Sequence, residues 1–366
     1  MLSDSNIRAF QPLAVMGMIM FGLLLAFTIF STGVKTELMK KNTVIVEDDY
    51  GTVVDRIYLE PQKELKPPLP YESAVRLKKR EDLFFHYHTQ FLVWMFIFSC
   101  LLGVSFGFVL PLLFGNRKVR LNAKLRLGQV WFSGFLAIVF LVLAVLISGG
   151  SWALVLPSEA YYMSFLRIAS QFQVLLNDPE FTVMTMIGLT AIAPLMALTG
   201  MFQVNFALEH LRDVNDIRKK ADQFRLLVKS LNFYLFVLAI LISGSTITTA
   251  FGREMFLQAF NRQEILFPIE FVYLYGMVFT LFLGMAYVPI YIQLKRKGEW
   301  IVDHYEQRLE KSLHVAEEEP ATLALEPLAE MENLFLLKGS TLDSAKVILS
   351  ILAPLLTGVL SKLIDF

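Results

Sequence analysis

An uninterrupted apolar stretch at residues 267–294 places the narrowest limits on how this chain can fold. It reads FPIEFVYLYGMVFTLFLGMAYVPIYIQL, and its one charged residue, Glu270, stands near its start. About 20 apolar residues in a helix are needed to cross a hydrocarbon core of ~30 Å. The basic residues Lys295, Arg296 and Lys297 follow directly, which is typical of a cytoplasmic anchor. The stretch is therefore predicted to be a transmembrane helix that ends in the cytoplasm.

Five further apolar runs have comparable length, and the composition agrees with them. Of 366 residues, 55% are hydrophobic and only 18% are charged, which is less charge than a soluble domain of this size carries. The predicted fold class is an all-α integral membrane protein with about six transmembrane helices, a small extramembrane β-hairpin loop and a C-terminal amphipathic helix. The earlier runs cover residues 12–33, 91–114, 130–152, 181–203 and 231–251.

The boundaries between apolar and polar segments divide the chain into five parts. We expect an N-terminal signal-anchor helix at 1–33 and a polar loop with a probable β-hairpin, on the extracytoplasmic side, at 34–88. A five-span helical bundle at 89–294 follows, then a charged cytoplasmic extension and linker at 295–340. Residues 341–366 form the predicted amphipathic helix.

The distribution of charge predicts the orientation. The loop at 115–129 holds five basic residues and no acidic one, and short loops of this kind stay in the cytoplasm. Six spans then place both termini in the cytoplasm. A basic cluster at residues 76–80 opposes this orientation, so the side of the 34–88 loop stays open.

The total charge of the chain indicates which kinds of partner it can bind. The chain has 33 basic and 33 acidic residues, whereas nucleic-acid binding demands a strong basic excess. No nucleic-acid partner is expected. The expected partners are the lipid bilayer and either further copies of the chain or other subunits of a membrane complex.

Two sets of small residues recur every four positions within predicted spans, a spacing that lets another helix approach closely. These candidate helix-packing residues are Ser99, Gly103 and Gly107 in the second span, and Gly276, Thr280 and Gly284 in the sixth.

The fourth and fifth spans are rich in hydroxyl and amide side chains. A polar but uncharged passage could be lined in this way, although such hydroxyls also bond to their own backbone or to neighbouring helices. The candidate passage-lining residues are Thr185, Thr190, Thr199, Gln203, Ser243, Thr246 and Thr249.

The C-terminal segment has one apolar side on a 3.6-residue wheel. Such a helix can lie in the bilayer interface, pack under the bundle or pair with copies of itself, and its length also permits a seventh span. The candidate interfacial or docking residues are Leu349, Leu352, Leu356, Val359 and Leu363.

No catalytic pattern points to an enzyme. The sequence has no P-loop, dinucleotide fingerprint, nucleophile elbow or zincin helix, and His86 with His88 are too few ligands for a metal site. We therefore expect no catalytic, cofactor-binding or metal-binding residues. The favoured function is an oligomeric channel or membrane-perturbing effector. The alternatives are a structural or scaffold subunit of a larger membrane complex and a facilitative transporter of an unidentified solute.

Overall fold

The computed structural model of the protein describes residues 4–33, 43–47, 53–58, 71–150, 179–211, 217–259, 270–313 and 341–360. Within these ranges the chain forms seven helices. They are α1 (Asp4–Gly33), α2 (Tyr71–Asn122), α3 (Leu127–Gly150), α4 (Pro179–His210), α5 (Ile217–Ala259), α6 (Glu270–Leu313) and α7 (Thr341–Leu360).

Five of these helices contain segments long and apolar enough to cross a membrane. The segments are Leu92–Asn122, Leu127–Ile147, Met184–His210, Lys219–Glu254 and Glu270–Asp303. They correspond to the second through sixth predicted spans. The chain therefore has the architecture of a multi-pass helical membrane protein.

Two short segments between α1 and α2 are extended. Strands β1 (Thr43–Glu47) and β2 (Val53–Tyr58) pair in antiparallel order, with Thr43 opposite Tyr58. A two-stranded ladder is marginal by itself. The hairpin loop as a folded unit on one side of the membrane stays a prediction.

The helix α2 begins earlier than the sequence analysis predicted. Its first residue is Tyr71, so residues 71–88, which were assigned to the polar loop, are helical. The segment follows Pro70, contains no further Pro or Gly, and has Glu72 four residues before Arg76, a spacing that favours a helix. The prediction was wrong here because apolarity detects the membrane-crossing part of a helix and not its polar extension.

The helices α1 and α2 lie side by side in antiparallel directions. A Cβ placed on Gly22 would lie 2.9 Å from the Cα of Gly103, and one on Gly107 would lie 2.5 Å from Ile19 Cγ1. Gly107 follows Gly103 in α2, but its contact Ile19 precedes Gly22 in α1, so the two helices are antiparallel. Both backbones approach this closely because glycine has no side chain at the crossing.

The largest fully buried side chains lie on α2, α4, α5 and α6. They include Leu102, Met201, Tyr234 and Tyr287. By contrast α3 turns a wide apolar side outward, with Trp131 and Leu146 more than 60% exposed. Exposed apolar side chains on a membrane-crossing segment are the expected contact with lipid.

The hydrophobic core continues past the predicted apolar runs 181–203, 231–251 and 267–294, at the end of the bundle where α4 and α6 finish. Phe224 of α5 packs there in one buried cluster with Leu208 of α4 and Ile301 of α6. The same end contains a hydrogen bond from Gln223 Nε2 to the carbonyl oxygen of Asn122, at 3.1 Å. The protruding helix ends are therefore packed together as a helical extension.

A proline in α4 determines one hydrogen bond between helices. Pro194 has no N–H, so the carbonyl of Thr190 lacks its usual donor four residues later. The hydroxyl of Ser105 on α2, which is fully buried, donates to this carbonyl at 3.0 Å. A side chain of one helix thus satisfies a backbone group that proline leaves free on another.

The crossing of α1 and α2 predicts unequal effects for two glycines in α1. Gly22→Ala should destabilise the protein by about 1 to 3 kcal/mol, because the new methyl group meets backbone atoms of α2. Gly17 has nothing within 4 Å of its added Cβ, so Gly17→Ala should be neutral or stabilising by up to ~1 kcal/mol. Thermal unfolding in mild detergent measures both, and equal midpoints would contradict the crossing.

The link at Pro194 predicts a coupling between two substitutions. Ser105→Ala should cost about 1 to 2 kcal/mol of stability, since the Thr190 carbonyl is left unpartnered. In a Pro194→Ala background the restored N–H satisfies that carbonyl, so the same change should cost much less. A double-mutant cycle of unfolding free energies tests this. Equal costs in the two backgrounds would show that Ser105 does not serve the freed carbonyl.

Candidate functional site

Most of the hydroxyls predicted to line a passage bond to their own helices. Thr190 Oγ1 donates to the carbonyl of Met186 at 2.6 Å, and Thr199 Oγ1 donates to that of Leu195 at 2.8 Å. On α5, the hydroxyls of Thr246 and Thr249 donate to carbonyls four residues earlier, at 3.0 and 2.9 Å. This is a common arrangement for hydroxyls inside helices.

The remaining candidates of this set differ in their surroundings. Thr185 is half-buried on α4. Thr246 is fully buried, and a Cβ on Gly358 of α7 would lie 3.8 Å from its methyl group, so α7 covers this position. Gln203 Oε1 and Ser243 Oγ are buried without a hydrogen-bond partner among the described residues.

Three of the six candidate helix-packing residues contact other helices of the same chain. Gly103 lies against α1, and Gly276 lies against α7, where an added Cβ would be 2.7 Å from the carbonyl oxygen of Pro354. Gly107 contacts Ile19 of α1, as described above. Ser99 donates to the carbonyl of Met95 at 2.8 Å. Gly284 has open space where a Cβ would stand.

The apolar side of the C-terminal helix points away from the bundle. Its exposed side chains are Leu349, Leu352, Leu356 and Val359. Leu363 lies outside the described residues, and so do His86 and His88 as side chains.

A polar cluster that the sequence analysis did not identify lies where α2, α4 and α5 meet. Asn116 of α2 and Tyr234 of α5 both reach Gly200 of α4. A Cβ on Gly200 would lie 2.4 Å from Asn116 Oδ1 and 2.5 Å from the Cζ atom of Tyr234. Asn116 Nδ2 donates to the carbonyl of Met196 at 2.9 Å. Gly200 is therefore what admits both polar side chains to the core.

A second polar contact joins α5 and α6 at about the same depth. The hydroxyl of Tyr287 donates to Asn232 Oδ1 at 3.1 Å, and the Tyr287 ring stacks on that of Tyr291 with centroids 5.6 Å apart. Asn232 is only two residues from Tyr234 along α5. Four helices thus contribute amide or phenol groups to the half of the bundle nearest the basic 115–129 loop.

Asn116 and Tyr234 have unsatisfied hydrogen-bonding capacity. Six buried side-chain atoms have no hydrogen-bond partner among the described residues: Asn116 Oδ1, Gln203 Oε1, Asn205 Oδ1, Tyr234 OH, Ser243 Oγ and Thr280 Oγ1. A buried group of this kind costs about 1 to 3 kcal/mol, and ordered water or a ligand is the usual explanation for one.

These six atoms occur at different depths of the bundle. Tyr234 and Ser243 are nine residues apart on α5, which is about 13 Å at 1.5 Å per residue. The helices α5 and α6 run antiparallel, since Tyr287 is bonded to Asn232 and Tyr275 is bonded to Ser245. In this register Thr280 of α6 lies at a depth between those of Tyr234 and Ser243. The unpartnered polar atoms on α5 and α6 therefore extend over about 13 Å of depth, somewhat less than half of a ~30 Å hydrocarbon core.

The polar cluster of Asn116, Gly200 and Tyr234 could not be predicted from the charge pattern. Asn116 stands between Gly115 and Arg117, so it was counted with the basic loop, although α2 continues through it to Asn122. Tyr234 and Tyr287 are aromatic residues in apolar runs, where most tyrosines face lipid or core. The sequence did contain one indication of this cluster: an Asn or Gln residue lies inside the predicted span, or within one helical turn of its end, on each of α2, α4 and α5.

The charged residues of the described chain lie mainly at the ends of the helices. Basic side chains dominate the end at which α2, α4 and α6 leave the apolar segments, and among those exposed there are Arg117, Lys118, Arg120, Lys124, Arg126, Lys219, Arg225, Lys229, Lys295 and Arg296. Lys220 is buried, with its Nζ 5.0 Å from the ring centroid of Trp300. Among the described residues no three His, Cys, Asp or Glu side chains come together as metal ligands.

The fold and the polar core define a class of protein and not a named family. The chain is a multi-pass helical membrane protein with five candidate spans. Comparison with known proteins finds no matching family model, no matching curated protein and no matching solved structure.

Two tyrosines of the polar core predict opposite effects of losing a hydroxyl. Tyr287→Phe should destabilise the protein by about 1 to 2 kcal/mol, since it removes a hydrogen bond and leaves Asn232 Oδ1 without that donor. Tyr234→Phe removes a hydroxyl that has no hydrogen-bond partner among the residues that the structure describes, so the stability should be unchanged or higher. Thermal unfolding of both variants in detergent gives the comparison. A larger loss for Tyr234→Phe would show that its hydroxyl has a structural partner.

Proposed function

We propose that this protein is a membrane channel for a small uncharged solute that forms hydrogen bonds, with water as the smallest member of that class. The observation that carries the proposal is a set of buried polar atoms that have no hydrogen-bond partner in the described part of the chain. These atoms lie on four helices and at several depths. In a low-dielectric interior such atoms are costly. A solute moving past them would supply the missing hydrogen bonds.

The polar cluster of Asn116, Gly200 and Tyr234 is the proposed position at which the channel selects its solute. Asn116 Oδ1 offers an acceptor, and the Tyr234 hydroxyl offers both a donor and an acceptor. Gly200 keeps the backbone of α4 close to both groups. Because neither group is charged, this position favours neutral solutes over ions, which would lose their hydration without a compensating charge.

The proposed path differs from the one that hydroxyl content alone suggests. Ser243 and Gln203 remain in it, because their polar atoms are unpartnered. Thr190, Thr199 and Thr249 are placed in a supporting role, because each hydroxyl is bonded to its own helix. Thr280 of α6 joins the path for the same reason as Ser243.

The proposal includes six spans, with α1 as the first. The described apolar part of α1 is Ala14–Ile29, but the whole helix has 30 residues, or about 45 Å. Its antiparallel contact with α2 favours a membrane-crossing position. We place the N-terminus and the basic ends of α2, α4 and α6 in the cytoplasm, following the positive-inside bias.

Reconstitution into proteoliposomes tests the channel. Swelling rates with water, urea and glycerol should exceed those of protein-free liposomes. Tyr234→Phe and Ser243→Ala should each change the rate by about fivefold, the effect of one hydrogen bond of ~1 kcal/mol. Thr248→Val is the matched control, because the Thr248 hydroxyl donates to its own helix at Gly244 and its loss should leave the rate unchanged.

A structural subunit of a larger membrane complex is the second candidate, and one observation favours it. The packed helical extension at the basic end presents exposed Lys219, Arg225 and Arg296, which lie outside the predicted apolar runs 231–251 and 267–294. Such a surface suits an acidic partner. If the purified protein retains other chains and its proteoliposomes swell no faster than empty ones, the channel is wrong and the structural role takes its place.

A further inference from the structure

The last described helix, α7, is held against the bundle by contacts between backbones. A Cβ on Gly276 of α6 would lie 2.7 Å from the carbonyl oxygen of Pro354 and 3.5 Å from the Cα of Leu355. A Cβ on Gly358 of α7 would lie 3.3 Å from the carbonyl oxygen of Val272. Glycine on each helix thus lets the other helix come close, as in the contact between α1 and α2.

The paired positions give the direction of α7. Pro354 lies beside Gly276, and Gly358, four residues later, lies beside Val272, four residues earlier. The helices are therefore antiparallel. If this register continues, Leu360 is level with Glu270, the first residue of α6, and Thr341 is level with Pro289.

The whole of α7 is long enough to cross a membrane. Its 20 residues extend for about 30 Å, which is comparable to a typical hydrocarbon core. The apolar part of the helix is Val347–Leu360, and Asp343 and Lys346 lie in the first two turns of the helix. The helix runs beside the segment of α6 that itself crosses the membrane. A helix lying flat in the bilayer interface would instead contact α6 at one level of the membrane and not along its length.

The described side chains of α7, at residues 347–360, face the surroundings that a membrane requires. Val347 and Ile351 pack against the hydrophobic core, and Pro354 is buried with Gly358 between α5 and α6. The leucine side of the helix is exposed, with Leu349 at 60%. Thr357 Oγ1 donates to the carbonyl of Ala353 at 2.7 Å, so its polar group is satisfied within the helix.

We infer that α7 is an additional membrane-crossing helix, seated in a groove between α5 and α6, with its leucine side toward lipid. Leu360 then lies on the side of the membrane where α6 begins, and Thr341 lies on the side where the apolar part of α6 ends. On this inference Leu360 lies on the side opposite the cytoplasm, whereas the sequence analysis predicted both termini in the cytoplasm. The inference concerns insertion and does not depend on the proposed channel.

Labelling of introduced cysteines from each side tests the inference. The chain has one cysteine, Cys100, so Cys100→Ala provides the background. A membrane-impermeant maleimide should label Leu360→Cys from the same side as Glu270→Cys. It should label Thr341→Cys from the opposite side, together with Lys295→Cys. Labelling after solubilisation in detergent defines the full signal for each position.

The labelling pattern separates the two placements of α7. An interfacial helix would be labelled at Thr341→Cys and Leu360→Cys from the Lys295 side alone, and this result would overturn the inference. Labelling of the two positions from opposite sides supports it. The measurement needs no transport activity, so it stands or falls separately from the swelling experiment.

Two glycines of α6 provide a matched pair for the groove. Gly276→Leu places a side chain against the Pro354 carbonyl, so α7 should leave the groove and Leu360→Cys should lose at least half of its labelling from the Glu270 side. Gly284→Leu adds the same side chain where no atom lies within 4 Å, and the labelling should be unchanged. Unaltered labelling in both variants would show that the groove does not hold α7.

Discussion

Backbone contact at glycine is the interaction on which the arrangement of the outer helices depends. Between helices in lipid, burial of apolar surface supplies little driving force, because the lipid tails are as apolar as leucine. Association then depends on how closely the helices pack. The first helix meets α2 through Gly22 and Gly103, and the last meets α6 through Gly276 and Gly358.

The positions of the spans followed from length and apolarity, because the hydrocarbon core imposes one simple requirement on every helix that crosses it. The same measure failed at Tyr71, where α2 begins in a polar segment. Water imposes no comparable length on that part of the helix. The boundary between loop and helix was therefore the weakest part of the prediction.

The polar residues were harder to interpret than the spans. A count of hydroxyls cannot tell whether a threonine bonds to its own carbonyl, as Thr190 does, or remains unpartnered, as Thr280 does. That distinction depends on rotamers and on neighbouring helices. Similarly, the wheel of α7 showed an apolar side but not its direction, since a leucine side faces inward in a soluble bundle and outward in lipid. The glycine positions of α6 and α7 carry that information only when both helices are seen together.

The hydrogen bond between Ser105 and the Thr190 carbonyl has a mechanical consequence. A helix interrupted by proline bends more easily at the interruption, and α4 has its interruption in the middle of the bundle. The carbonyl that Pro194 leaves without a donor is bonded by Ser105 of α2. If α4 bent away from α2, this carbonyl would lose its donor in surroundings that offer no replacement. Bending of α4 at this depth therefore costs least when α2 moves with it.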